Sequence, residues 1–331
     1  MHGRKTGFAR TALRIVNRLA RPLDKLAASN ATGQAAPIMV VGLPRSGTTL
    51  AYELLVQAFD VSFLTRIYSY AYGLPNLATR VVARGIRDPD ARYSSNYGRI
   101  PGRYAPAENG VIWDRWFPEH EELGHHVPID AITTTAQKDA AAMLSSMSTI
   151  AGRPFVFKNL YMTLSLPAYL QLLPKSKVII VTRDIDTIIA SVYNKRKKTP
   201  SWWAIRPPFT GDVRGRSVLD QTAYQCIRSQ QLLEHSLSTL PSDRFKVVDY
   251  ATICAEPQIF IDDVASWAGS GLERRPGHEI PQQFDISGGP GLSGELEEQL
   301  AELTETLESS GSQYLSRIQA FVATPSTGVV G

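Results

Sequence analysis

Gly42-Leu-Pro-Arg45-Ser46-Gly47-Thr48-Thr49 gathers a guanidinium, three hydroxyls and two glycines, with no carboxylate among them. Such a set holds an anion. Ile38–Val41 ahead of it is a short apolar run that reads as a strand buried on both faces. Behind it, Leu50, Leu54, Leu55 and Ala58 recur at helical spacing, so a helix starts directly after the loop. Backbone N–H groups converge where a glycine-bounded loop meets a helix N-terminus, and the helix dipole favours negative charge there. The Gly42-x-x-x-x-Gly47 spacing is that of a phosphate-cradling P-loop, but Thr48-Thr49 stands where Lys-Ser or Lys-Thr would follow. The cation, Arg45, sits inside the loop instead. The loop is therefore built for an anionic group and poorly built for Mg-ATP hydrolysis.

The surrounding elements set where these groups point. Short apolar runs at Phe155–Lys158, Val178–Thr182 and 245–249 read as strands, and Val61–Thr65 is expected to add another. Helices are expected at 133–150, 166–173, from Ile185 onward, 217–240, from Pro257 and from Ser293, with a short last one at 314–321. Strands alternating with helices define an α/β chain: a three-layer, P-loop-like fold with a central parallel β-sheet flanked by helices. Ligands in such sheets sit at the C-terminal edge of the strands. Arg45, Lys158 and Arg183 all lie just past strand ends, which puts three cations on one rim. Residues 66–126 lose clear periodicity and carry Tyr68, Tyr70, Tyr72, Tyr93, Tyr97, Tyr104, Trp113, Trp116 and Phe117. They either build an acceptor pocket or fill a small irregular core.

With 331 residues, 43% of them hydrophobic, the chain has enough apolar content for a full core. We expect one domain over 37–322, a basic N-terminal segment over 1–30 and a disordered tail over 323–331. The net charge of +4 suits an anionic ligand or membrane surface, and no run of alternating basic and aromatic residues suggests nucleic acid. Two cysteines, Cys226 and Cys254, read as buried thiols in a reducing compartment. His120, His125 and His126 lack a Cys or acidic set at ligand spacing, so no metal site is expected. Within 1–30, Phe8, Ala12, Ile15, Leu19, Leu23 and Leu26 form one helical face, and Arg10, Arg14, Arg18, Arg21 and Lys25 the other. Three readings compete for this helix: packing on the domain, peripheral contact with an anionic membrane through residues 8–27, or a transit peptide. A cytoplasmic protein, peripheral at a membrane surface in the second reading, is expected.

Arg183 leaves its strand and Ser191 follows two helical turns later, a pair able to clamp one more phosphate. Gly42–Thr49, then Phe157-Lys158-Asn159, then Val181-Thr182-Arg183-Asp184 with Ser191 together resemble the sulfotransferases that use 3′-phosphoadenosine-5′-phosphosulfate (PAPS), the bacterial branch above all. The resemblance spans roughly residues 37–270 and implies PAPS as co-substrate with no metal required. It implies that Arg45, Ser46, Gly47, Thr48 and Thr49 hold the 5′-phosphosulfate, with Arg45 as catalytic cation. Lys158 matches a second cation near the transferred group, and Arg183 and Ser191 match the pair on the 3′-phosphate. The chain also departs from cytosolic members. Lys158-Asn159-Leu160 lacks their base histidine, Leu50 replaces an adenine-stacking tryptophan, and Arg274-Arg275-Pro276-Gly277 is the only stand-in for a late phosphate loop.

The implied reaction moves a sulfuryl group to a hydroxyl-bearing acceptor, a glycan or glycolipid above all. Its base is sought in the insert: Glu108 and His120 are preferred, His125 and His126 remain candidates, and Asp114 stands behind them. The 118–126 run reads equally as a solvated loop. Lys195–Lys198 with Trp202, Trp203 and Phe209 reads either as a lid or as a loop packed on the core. Two rivals stand beside this reading: a P-loop kinase or NTPase, for which Asp184 is the nearest Mg²⁺ ligand, and a non-catalytic nucleotide-binding module.

Overall fold

The computed structural model describes residues 7–30, 36–85, 93, 100, 102, 104–277, 279–288 and 291–324. The expected tail from 325 on, Tyr97 and most of the linker 29–36 lie outside them. In chain order the elements are α1 (Gly7–Leu26), β1 (Ile38–Gly42), α2 (Thr48–Ala58), α3 (Pro75–Gly85), α4 (Thr134–Ala151), β2 (Val156–Lys158) and α5 (Leu166–Leu172). They continue with β3 (Lys177–Thr182), α6 (Ile185–Lys198), α7 (Val218–Thr239), β4 (Phe245–Asp249), α8 (Tyr250–Ala255), α9 (Pro257–Ala268), α10 (Glu295–Ser309) and α11 (Gly311–Ala323).

The four strands form one parallel sheet in the order β2-β1-β3-β4. Side chains alternate across it, and both faces are covered. Met39, Val41, Val178 and Ile180 face one core with α4, α5 and α7; Ile38, Val40, Ile179 and Val181 face another with α2, α8 and α9. Every residue of β1 is buried, which is why its sequence is a continuous apolar run rather than an alternating one. Because all strands are parallel, Gly42, Lys158, Thr182 and Asp249 end at one edge, and the register sets Gly42 beside Val181.

Val61–Thr65 is not a strand of this sheet. Ser62 pairs singly with Phe155, just ahead of β2, and Thr65 singly with Pro106. The segment is a strut: Ser62 receives the Val156 amide at 2.9 Å, and Leu64 receives that of Ala107 at 2.8 Å. It joins the sheet to the insert. Within the insert, Trp113, Trp116 and Phe117 are buried core, as in the second of the two readings above. Cys226 and Cys254 are buried free thiols.

Candidate active site

The loop after β1 is shaped by two close approaches. At Gly42 a Cβ would lie 2.4 Å from the Val181 carbonyl, and at Gly47 (φ 99°) it would lie 2.1 Å from the Tyr250 ring. Only glycine fits either place. Thr163 fixes the base of the loop: its hydroxyl accepts from the Gly42 amide at 3.1 Å and donates to the Gly42 carbonyl at 2.9 Å. Ser46 is fully buried, and its hydroxyl has no hydrogen-bond partner within the protein. α2 then begins at Thr48, with its first amides at the loop.

Arg45 takes a left-handed backbone, φ 70°, which a non-glycine residue holds only under restraint. Two restraints are visible. Arg183, just past β3, donates from Nη1 to the Arg45 carbonyl at 3.2 Å, and Arg45 Nε donates to Ser191 Oγ on α6 at 3.0 Å. The Arg183 guanidinium lies 4.7 Å over the Tyr250 ring and also donates to the Ser287 carbonyl. Tyr250 in turn bonds Ser287 through its hydroxyl at 2.9 Å.

Arg45, Gly47, Thr48, Thr49, Lys158, Arg183 and Glu108 line one cavity of about 520 Å³. Lys158, the last residue of β2, is 3% exposed, and its ammonium is ion-paired with the Glu108 carboxylate. Glu108 is held beside it by its neighbours. Asn109, with φ 45°, donates to the Thr65 carbonyl at 2.7 Å and receives the Ser69 hydroxyl.

Glu108 also lines a second cavity, of about 680 Å³, with Arg14, Arg18, Arg21, Asp114, His125 and Tyr161. His125 stacks on Tyr161 at 3.8 Å, and its Nδ1 accepts the Arg206 amide at 2.8 Å. Burial pushes the His125 imidazole down to about 4, and pushes the Tyr161 phenol up to about 12. Burial likewise raises the Asp114 carboxyl.

The candidates His120 and His126 line neither cavity. His120 sits on a tight turn, where its Nδ1 accepts the amides of Glu122 and Leu123 at 3.1 and 3.2 Å, and its ring meets Phe321 edge-on. His126 contacts the Leu164 carbonyl through Nδ1 at 2.6 Å, and burial lowers its basicity. Asp184, the carboxylate a kinase reading would need, caps α6 by accepting from the Thr187 amide and hydroxyl, and these bonds hold it below the usual carboxylate range. Among the described residues no cluster of His, Cys, Asp and Glu is arranged to hold a metal ion.

Sequence reasoning did not find Phe284 and Ser287, which line the first cavity from an irregular Gly/Pro-rich stretch without periodicity. Arg274 and Arg275 lie elsewhere: Arg274 pairs with Asp262 over the Phe59 ring, and Arg275 donates its amide to the Ala58 carbonyl. Of the 195–209 segment, Trp202 lines the cavity, whereas Arg196 is buried under Trp203 with its guanidinium on Gln221 and the Pro200 carbonyl.

Residues 37–274 match the sulfotransferase family, and the chain belongs to it. Its fold is similar to that of the sulfotransferase STF1 of Mycobacterium tuberculosis, at 19% identity and a TM-score of 0.51 over 79% of this chain and 76% of that one. It is similar also to the sulfotransferase STF9 of Mycobacterium avium, at 16% identity and a TM-score of 0.51 over 78% and 69% of the two chains. No protein of curated function matches the sequence.

Proposed function

We propose that the chain transfers a sulfuryl group from PAPS to a hydroxyl of a glycan or glycolipid. The observation that carries this reading is the Lys158–Glu108 pair at the meeting of two cavities, one lined by cations and helix N-terminal donors, the other large enough for an acceptor. The donor set fits a bisphosphate nucleotide: an acid-free loop, a buried Ser46 hydroxyl without a protein partner, and arginines from two elements.

In the transfer, the bond from the acceptor oxygen to sulfur forms as the bond from sulfur to the bridging oxygen breaks, releasing adenosine 3′,5′-bisphosphate and the hydroxyl proton. Glu108 takes that proton; His120, outside both cavities, is left without this role. Lys158 and Arg45 offset charge building on the bridging and sulfuryl oxygens, and Ser46, Gly47, Thr48 and Thr49 hold the 5′-phosphate at the start of α2. Arg183 and Ser191 hold the 3′-phosphate; Ser191 accepts from Arg45, which leaves its own hydrogen to donate. Phe284 and Tyr93, 5.1 Å apart, supply aromatic faces for adenine.

The second cavity mixes guanidinium and carboxylate groups with the stacked His125–Tyr161 pair, a lining that suits sugar hydroxyls and ring faces. A glycolipid acceptor calls for peripheral contact with a membrane, and α1, which covers nearly all of the 8–27 stretch, walls this cavity through Arg14, Arg18 and Arg21. The test is transfer of labelled sulfate from PAPS to a panel of glycans and glycolipids, without added metal, by the parent and by Glu108→Gln. Transfer abolished in the variant while bisphosphate binding persists supports the reading. No transfer to any hydroxyl acceptor, or full activity of the variant, contradicts it.

A further inference from the structure

α1 packs on the protein with its polar side. Asn17 is buried, donating to the Tyr70 carbonyl at 2.9 Å and accepting the Gly73 amide at 2.6 Å. Asp24 is buried as well, accepting from the Asn76 side chain at 2.8 Å and from the Leu77 amide at 3.1 Å, at the start of α3. Arg80 donates to the Ala27 carbonyl and Ser146 receives the Ser29 amide, so the helix is tied down along its C-terminal half. The apolar face is left outward. Ile15, Val16, Leu19, Leu23 and Leu26 are between 54% and 84% exposed. Scattered exposed apolar side chains are ordinary, but a stripe of five on one anchored helix marks a contact surface.

The charge beside the stripe decides what covers it. Arg14, Arg18, Arg21 and Lys25 are exposed along the neighbouring face. Asp24, the helix's one acid, is turned inward. A second copy pairing through this stripe would set its own row of cations against these. An anionic bilayer offers apolar depth to the leucines and opposite charge to the row. No helix among the described residues is long and apolar enough to cross a membrane, so α1 lies on the surface rather than through it.

We infer that α1 docks the protein on an anionic lipid bilayer, with Ile15, Val16, Leu19, Leu23 and Leu26 in the interface and the adjoining cations on acidic headgroups. The same arginines wall the second cavity, so docking sets the mouth of that cavity at headgroup level. This deepens the reading of a glycolipid acceptor and in that part rests on it; the docking itself rests on the surface of α1.

The test is cosedimentation of the full chain with vesicles of phosphatidylcholine alone or mixed with phosphatidylglycerol, for the parent and for Leu19→Asp/Leu23→Asp. Both positions are exposed, so the double variant is expected to fold, checked by unchanged binding of adenosine 3′,5′-bisphosphate. The parent should bind the mixed vesicles and release them as salt is raised, with the double variant about a hundredfold weaker. Equal binding by parent and variant, or no binding of the parent to mixed vesicles, overturns the inference. So does a dimer in sedimentation velocity that the double variant dissociates, since the stripe would then serve a second copy. Bisphosphate binding and sulfate transfer to a soluble glycan are read separately, so a failure of docking is not confused with a failure of the sulfotransfer reading.

Discussion

Arg183 and Arg45 are joined by a hydrogen bond of 3.2 Å from a guanidinium to a backbone carbonyl, which ties the end of β3 to the loop after β1. The bond uses one edge of a fork whose plane also lies over Tyr250 and whose other edge reaches Ser287. A lysine keeps the charge and loses the fork. Arg183→Lys should weaken adenosine 3′,5′-bisphosphate binding about tenfold, in the range of a lost charge-assisted hydrogen bond. Calorimetry checks it; unchanged affinity would remove Arg183 from the 3′-phosphate.

Arg45 is held in a left-handed backbone with its side chain on Ser191. A donor aimed at developing charge contributes ~3 kcal/mol, so Arg45→Ala should lower turnover on the order of a hundredfold with PAPS saturating. Turnover within a factor of a few of the parent would sink the catalytic role.

Glu108 borders both cavities and pairs with a lysine that is almost wholly buried. Glu108→Gln keeps the shape and removes the base, so kcat should fall about a hundredfold or more. Glu108→Gln should be worse for stability than the double variant with Lys158→Met, because the single change leaves an almost wholly buried ammonium without its carboxylate. Thermal melts of the two variants report this order.

Gly47 packs directly under the Tyr250 ring, and no side chain fits there. Gly47→Ala combines a clash with a positive φ, an expected loss of about 1–3 kcal/mol. Tyr250 is itself buried, so Tyr250→Ala lowers the melting temperature on its own; in that background Gly47→Ala should cost less than in the parent, because the clash is gone and only the backbone strain remains.

His125 gives the stability a pH dependence. Its imidazole takes up a proton near pH 6.5 when unfolded, but only near 4 when buried against Tyr161. Between those values the unfolded chain binds more protons, so stability falls as pH drops from 6.5 towards 4, by up to roughly 3 kcal/mol. His125→Gln should flatten that slope of the melting temperature. An unchanged slope would place the imidazole in water.

The sheet was readable because its strands are buried on both faces: β1 and β3 are apolar runs with no alternation to mislead, and the cations at their ends follow from parallel order. Val61–Thr65 carries the same kind of residues, yet single pairings at Ser62 and Thr65 are all it makes with other segments as bridges. Local pattern does not encode whether a neighbour strand is in reach. Glu108 and His120 were equal in sequence because the contact that separates them spans 50 residues, from Glu108 to Lys158. Ser287 and Phe284 had no periodicity to point to them. For α1 the amphipathic spacing was plain, but not which side would face the protein. Asn17 and Asp24, two polar residues with hydrogen bonds waiting at Gly73, Asn76 and Leu77, decided that against five apolar ones.

The most direct measurement is calorimetric titration of the full chain with adenosine 3′,5′-bisphosphate, without metal, beside ATP with Mg²⁺. The sites described here predict tight binding of the bisphosphate and weak or no binding of Mg-ATP. Tight binding of Mg-ATP, with none of the bisphosphate, would contradict PAPS as the donor and return the loop at 42–49 to a nucleoside triphosphate.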